Sequence, residues 1–174
     1  MTNPLVVLAH LDRFQERDIQ NALVELWPCI SLRYPLLVRP NVIMPDTWAP
    51  DLVAVNNYQN ECLVIELKGI PPAGPAEQAL RQLLRYATEL QDVYKALYIR
   101  PVLIGPYVKW GPIHRLHRKR FDVSFVSIRR LSQYLLDAAA ESLKQAGRES
   151  VQDALGCLDV LFVEQEEMSS EEAQ

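Results

Sequence analysis

The chain has 174 residues, of which 49% are hydrophobic and 23% are charged, a balance typical of a globular domain with a sizeable core. It contains no apolar run of about 18 residues, which excludes a membrane span, and its three scattered cysteines are typical of reduced thiols in a cytoplasmic protein. The net charge is −4, but five acidic residues and no basic ones follow Leu161, so the body is near neutral and is not a strong electrostatic DNA binder by composition.

The N-terminal part of the chain predicts a short extended segment, a helix and an edge strand. Asn3–Leu8 is apolar, which predicts an edge strand or an arm. Asp12 is a good N-cap for a helix over Arg13–Trp27, which Pro28 would end. Cys29–Arg39 contains proline and predicts an edge strand. Helical spacing places one stripe of the predicted helix toward the core, and its members are Glu16, Ile19, Gln20, Leu23 and Trp27.

A β-hairpin is predicted by two runs rich in β-branched residues, Leu52–Val55 and Cys62–Leu67, which flank a polar turn. Asp51 opens the first strand, and Glu66 and Lys68 lie near the end of the second. Because side chains alternate along a strand, Glu66 and Lys68 share one face, and neither face of the hairpin is purely solvent-exposed. A carboxylate and an ammonium group at the edge of a buried sheet are costly unless something compensates their charges.

A divalent cation would compensate these charges. Mg²⁺ or Mn²⁺ takes oxygen ligands, and Asp51 and Glu66 on paired strands would supply two of them, with the backbone carbonyl of Leu67 as a third. Lys68 would orient or help deprotonate a water molecule, or neutralise charge that builds on a phosphate. The alternative is an aspartate at a turn and a glutamate–lysine pair on an edge strand, which the Glu-x-Lys spacing alone would favour.

A long helix is predicted after a loop rich in glycine and proline. It begins near Pro75 and runs to about Tyr94. Beside its apolar stripe runs a polar one with helical spacing, which consists of Gln78, Gln82, Tyr86 and Glu89.

The motifs noted so far form an ordered set: Glu16, Pro50-Asp51, Glu66-Leu67-Lys68, and Gln82 with Tyr86. This set resembles the signature of the PD-(D/E)XK nuclease superfamily, and its Gln-x-x-x-Tyr element is similar to that of mismatch endonucleases of the NucS type. The likeness covers roughly Glu16 to Ser127. It implies that Glu16 is an accessory acid, that Gln82 positions substrate and that Tyr86 lies near substrate or packs below it. The alternatives are an acid favoured by a helix N-terminus and an ordinary amphipathic helix boundary.

The C-terminal half predicts two strands and two helices. The strands are Pro101–Ile104, within Ala96–Ile104, and Phe121–Ser127, and a helix over Ile128–Ala146 follows them. The segment from 149 to 163 predicts a last amphipathic helix with more apolar residues than one face needs, so we expect it to pack on the domain or on a partner. The segment from 164 to 174 is acidic and predicts disorder.

The strongest positive cluster lies between the two C-terminal strands, with Trp110 available for stacking. Phosphate contact is the functional interpretation of such a cluster, and a solvated basic face is the alternative. We expect DNA contacts from Lys109, His114, Arg115, His117, Arg118, Lys119 and Arg120.

The order of elements predicts an α/β fold with a mixed central β-sheet flanked by helices, similar to the restriction-endonuclease-like core, in one domain over residues 1–163. The leading hypothesis is a Mg²⁺- or Mn²⁺-dependent deoxyribonuclease, and the resemblance implies a role in repair, mobile-element processing or anti-phage defence. Because one such site cuts one strand, double-strand cutting would need a homodimer or a partner protein. The alternatives are a non-catalytic subunit of a larger nucleic-acid-processing complex and an RNA-directed nuclease.

Overall fold

The computed structural model describes residues 2–38, 49–56, 58, 60–70, 72, 74–95, 97–106, 121–144, 158–159 and 161–163. Its helices are α1 (Pro4–Ala9), α2 (Glu16–Glu25), α3 (Trp27–Ile30), α4 (Ala76–Val93) and α5 (Ile128–Lys144), with a 3-10 turn at Leu11–Arg13. Its strands are β1 (Leu36–Val38), β2 (Leu52–Asn56), β3 (Glu61–Leu67), β4 (Tyr98–Gly105) and β5 (Ser124–Ser127). No helix in these ranges is long and apolar enough to cross a membrane.

The described strands form a five-stranded mixed sheet in the order β1-β2-β3-β4-β5. The pairs β1-β2 and β2-β3 are antiparallel, whereas β3-β4 and β4-β5 are parallel. Helix α4 connects β3 to β4 and packs on both of them, as a crossover between parallel strands requires. The predicted α/β fold with a mixed central sheet flanked by helices is therefore confirmed.

Strand β3 is buried on both of its faces, which confirms the prediction for the hairpin. Leu63, Ile65 and Leu67 belong to a core cluster that includes residues of α1, α2, α3 and α5. Cys62 and Val64 belong to a second cluster on the opposite face, together with the apolar stripe of α4. Polar side chains at the ends of β3 therefore lie at the border of a closed core, where burial raises the cost of their charges.

The prediction for the N-terminus was wrong, because the segment predicted as a strand or arm is helix α1. Asn3 caps this helix, since its Oδ1 accepts a hydrogen bond of 2.9 Å from the amide of Leu5, and Pro4 occupies the first turn. Asp12 is not the cap of α2 either. That helix starts at Glu16 after Gln15, whose amide donates to Asp18 Oδ2 at 3.1 Å.

The helix predicted over Arg13–Trp27 is interrupted at Leu26, between α2 and α3. Pro28 does not end the helical segment but lies in the first turn of α3, where its missing amide costs nothing. The strand expected over Cys29–Arg39 is limited to Leu36–Val38 in the described residues.

Strand β4 is longer than predicted and contains Pro101 in its interior. The amide of Tyr98 donates to the carbonyl of Asn60 and the carbonyl of Ile104 accepts from Lys68, so even-numbered residues of β4 bond toward β3. The nitrogen of Pro101 therefore faces the β5 side, where pairing begins only at Val102. Proline is tolerated there because no ladder hydrogen bond is lost.

The C-terminal helical residues 158–159 and 161–163 pack on the domain's own core. Leu158, Leu161 and Phe162 are buried in the same cluster as α1 and α2. The carboxylate of Asp159 accepts hydrogen bonds from the Ser31 hydroxyl at 2.7 Å and from the backbone amides of Leu32 and Arg33 at 2.9 and 3.2 Å. The predicted β5 begins at Ser124 rather than at Phe121, and the tail at 164–174 lies outside the described residues.

Candidate active site

The candidate site is built at the point where β2 begins and β3 ends. The antiparallel register pairs Leu52 with Ile65, so one step further along the strands Asp51 lies opposite Glu66. The Asp51 side chain turns back onto β3, where its Oδ2 accepts a hydrogen bond of 2.7 Å from the amide of Leu67. The sheet thus brings together two carboxylates that are 15 positions apart in the sequence.

Lys68 is held between two carboxylates at this end of the sheet. Its Nζ donates to Glu66 Oε1 at 2.8 Å and lies 3.6 Å from Glu16 Oε1. The other oxygen of Glu16 accepts from the amide of Gly69 at 3.0 Å. Lys68 is also fixed through its backbone, since its amide donates to the carbonyl of Ile104 on β4 at 2.8 Å.

Helix α2 brings Glu16 to the end of β3. Ile19 and Leu23 are fully buried on the inward stripe of α2, and Glu16, one turn before them, reaches the end of β3. Three carboxylates and one ammonium group therefore surround the start of the loop after β3.

Burial at this site disfavours negative charge. The Glu66 side chain is only 6% exposed, and desolvation, followed by the nearby charge of Asp51, raises its pKa from 4.5 to about 7 despite the hydrogen bond from Lys68. Desolvation also raises the pKa of Asp51, although the hydrogen bond from Leu67 opposes this. Burial lowers the pKa of Lys68, but the hydrogen bond to Glu66 and the surrounding carboxylates outweigh it, so its pKa is raised.

The donor set fits a hard divalent cation. In the described part of the chain, Asp51 Oδ1 and Glu66 Oε2 accept no hydrogen bond, so each carboxylate keeps one oxygen for a ligand. Alternate residues of β3 bond to opposite neighbours, so the carbonyl of Leu67 faces the same side as its amide, toward Asp51. Among the described residues, no group of three or more His, Cys, Asp or Glu side chains is arranged to hold a metal. Two carboxylates with backbone and water oxygens is the pattern that Mg²⁺ uses beside a phosphate substrate.

The two motif residues of α4 lie at different depths. Gln82 is half-buried, and Tyr86 is only 4% exposed and belongs to the core cluster beneath α4. Desolvation, and then the charges of Glu66 and Asp51, raise the pKa of Tyr86, so its hydroxyl lies within electrostatic reach of the site. A role for Gln82 in positioning substrate, and for Tyr86 in contacting it, stays a prediction.

The predicted DNA-contacting cluster lies outside the described residues. These are Lys109, His114, Arg115, His117, Arg118, Lys119 and Arg120. The structure also places Gly69 and Gln20 at the site, although neither was among the predicted site residues. Gly69 supplies an amide to Glu16, and Gln20 Nε2 donates to the carbonyl of Asp51 at 2.6 Å. The signal for Gln20 was its position as a polar residue on the inward stripe of α2.

Comparison with protein-family models gives no match, and comparison with curated proteins gives none either. Among solved structures, the chain is similar to the small subunit of a heterodimeric restriction endonuclease, at 12% identity and a TM-score of 0.49. The alignment covers 92% of this chain and 95% of that subunit. A likeness this distant leaves the chemistry to be inferred from the site's own residues.

Proposed function

We propose that this chain is a metal-dependent endonuclease of the PD-(D/E)XK type that hydrolyses phosphodiester bonds in DNA. The observation that supports this is the meeting of Asp51 and Glu66 at one end of the sheet, with Lys68 2.8 Å from Glu66. An ion pair that only stabilised the fold would need no second buried carboxylate beside it, because each added acid raises the cost of ionisation. A site that receives a divalent cation needs that excess of negative charge.

Asp51, Glu66 and the carbonyl of Leu67 would hold Mg²⁺ or Mn²⁺. The cation would supply Lewis-acid polarisation of a phosphate oxygen and lower the pKa of a water molecule. Glu66 would give up its proton on binding, since a positive charge beside it favours the carboxylate.

Lys68 would act as a fixed positive charge rather than as a base. The hydrogen bond to Glu66 and the nearby carboxylates raise its pKa, which favours the protonated ammonium form, a hydrogen-bond donor only. Held by Glu66 and Glu16, it would stabilise the negative charge that develops on the phosphate during attack by water. Glu16 would then serve as the accessory acid that keeps Lys68 at the site.

Substrate contacts would come from outside this carboxylate cluster. Gln82 and Tyr86 on α4, and the basic residues between 109 and 120, would contact the nucleic acid, because a near-neutral body needs a local source of positive charge. A homodimer or a partner protein would supply a second site where both strands are cut.

The test is cleavage of single-stranded, double-stranded and branched DNA, and of matched RNA, with Mg²⁺ or Mn²⁺. We expect Glu66→Gln and Lys68→Met to lose at least about 100-fold in rate, as groups that stabilise a transition state do. Glu61→Gln is the matched control, since it makes the same change at the other end of β3, and it should keep the wild-type rate. Folding of each variant is checked by circular dichroism.

Three results would decide between the hypotheses. Cleavage of RNA alone would replace the deoxyribonuclease with an RNA-directed enzyme. Equal rates for wild type and both site variants would place the chemistry elsewhere. A folded wild type that cleaves nothing and binds no Mn²⁺ in calorimetry would favour the non-catalytic subunit.

A further inference from the structure

Asp51 lies just outside the strand that follows it. The ladder with β3 begins at Leu52, which pairs with Ile65, so the backbone of Asp51 is not part of the paired region. Two hydrogen bonds hold this residue in the described structure. Its side chain accepts from Leu67, and its carbonyl accepts from Gln20 Nε2 on α2 at 2.6 Å.

The same helix also holds the end of the partner strand. Glu16, one turn before Gln20, accepts the amide of Gly69, the second residue after β3. Helix α2 is anchored to the core by Ile19 and Leu23, which are fully buried. The same helix thus contacts the carbonyl of Asp51 before β2 and the amide of Gly69 after β3, which fixes the start of β2 relative to the end of β3.

We propose that Gln20 is a positioning residue, which sets the place of Asp51 opposite Glu66 and so determines how tightly the site binds a divalent cation. This rests on the proposed function, since it concerns the same cation site. Gln20 touches neither the cation nor the substrate and acts through the backbone of Asp51. Ligand oxygens must be held within about 0.5 Å of their productive places, so loss of this contact would weaken binding without removing a ligand.

The test compares two substitutions that remove the same kind of hydrogen bond. Gln20→Met keeps the length of the side chain but cannot donate to the carbonyl of Asp51. Gln91→Met is the matched control, because Gln91 Nε2 also donates to a backbone carbonyl, that of Leu97 at 3.1 Å, and is also half-buried. Mn²⁺ affinity is measured by calorimetry on the full chain, and thermal unfolding is followed without divalent ions.

We expect the Mn²⁺ dissociation constant of Gln20→Met to rise about 10-fold, as for other residues that orient metal ligands without contacting the metal. The control should bind Mn²⁺ as wild type does, although both variants should lose similar thermal stability. In cleavage, kcat of Gln20→Met should fall at a fixed Mn²⁺ concentration, while KM for DNA stays the same.

Unchanged Mn²⁺ affinity in folded Gln20→Met, beside a wild type that binds Mn²⁺ and cleaves DNA, would overturn this inference alone. So would an equal loss of affinity in the two variants, because the effect would then follow stability rather than position. A wild type that neither binds Mn²⁺ nor cleaves would overturn the proposed function, and the role of Gln20 with it.

Discussion

Strand β3 begins with Glu61 and carries Glu66 one residue before its end, and the two carboxylates differ in burial and in hydrogen bonding. At the start of the strand, Glu61 accepts from Arg33 Nη2 at 2.9 and 3.1 Å and from the Tyr34 hydroxyl at 2.9 Å. Near its end, Glu66 accepts one hydrogen bond from the described residues, that of Lys68, although its side chain is 6% exposed against 17% for Glu61. The more buried carboxylate thus has fewer donors, and other carboxylates lie beside it.

This difference agrees with the proposed function, in which Glu61 is structural and Glu66 would bind a cation. A buried charge is tolerated when donors surround it, as they do around Glu61. Among the described residues Glu66 has Lys68 as its donor, and burial with the charge of Asp51 raises its pKa to about 7 despite that hydrogen bond. Burial combined with a charged neighbour perturbs pKa values in this way at functional sites. Under the proposed function, the Glu66 end would lower stability at the place where a cation would bind.

The largest expected effect concerns Glu66 and pH. Its pKa is raised in the folded state, so the protonated form stabilises the fold below about pH 4.5 and this contribution is lost as pH rises through about 7. A shift of this size corresponds to about 3 kcal/mol, so Glu66→Gln should be more stable than wild type by up to that amount at pH 8 and equal to it near pH 4.5. Urea unfolding without divalent ions, at both pH values, measures this difference.

The contrast between Glu61 and Glu66 would be contradicted if substituting either one with glutamine changed stability in the same way. Glu61→Gln should lose stability at both pH values, because it weakens the hydrogen bonds with Arg33 and Tyr34. A stability gain for Glu61→Gln at pH 8, or none for Glu66→Gln, would contradict the assignment of structural and functional ends.

The second-largest expected effect concerns Asp159, which holds in place the segment that carries Arg33, the partner of Glu61. Asp159 accepts from the Ser31 hydroxyl and from the amides of Leu32 and Arg33, so it ties the C-terminal helical residues to the segment that carries Arg33. Asp159→Ala removes these bonds and leaves the buried Ser31 without its acceptor. We expect a loss of about 2 kcal/mol in urea unfolding.

Asp122→Ala serves as the control for this loss, since Asp122 is exposed, and its stability should stay within about 0.5 kcal/mol of wild type. Mn²⁺ affinity should be unchanged in both variants. A weakened Mn²⁺ site in Asp159→Ala would show that the two ends of the sheet are coupled rather than independent.

The central elements could be predicted from sequence because their signals are local and repeated. The hairpin consists of two apolar runs rich in β-branched residues on either side of a polar turn, and the predicted helix from Pro75 to Tyr94 differs from α4 by one residue at each end. Helical spacing also placed Glu16 on the face that reaches the site. In these segments the hydrophobic period and the local propensities agree, so one pattern fixes both the element and its orientation.

The N-terminus and Gln20 could not be predicted in the same way. Asn3–Leu8 is too short to show a period, and its helix depends on the cap and proline at its start rather than on its apolar composition. Helical spacing places Gln20 on the inward stripe of α2, as it does Glu16, but it does not show which carbonyl, 31 positions away, the side chain of Gln20 contacts. Pairings between distant segments depend on how elements pack, which the sequence of one element does not contain.

The smallest expected effect concerns Tyr34, whose hydroxyl donates to Glu61 at the start of β3. Burial, followed by the hydrogen bond to Glu61, raises the pKa of Tyr34 to about 12, so the neutral hydroxyl stabilises the fold below pH 10 and this contribution is lost as pH rises toward 12. Tyr34→Phe should therefore lose about 1 kcal/mol at pH 8, and the difference from wild type should shrink by pH 11. Urea unfolding at the two pH values measures it. A loss of the same size at pH 11 would mean that packing of the ring, rather than the hydroxyl's bond to Glu61, stabilises the fold. The hydrogen-bond donors around Glu61 would then contribute less stability than the comparison with Glu66 assumes.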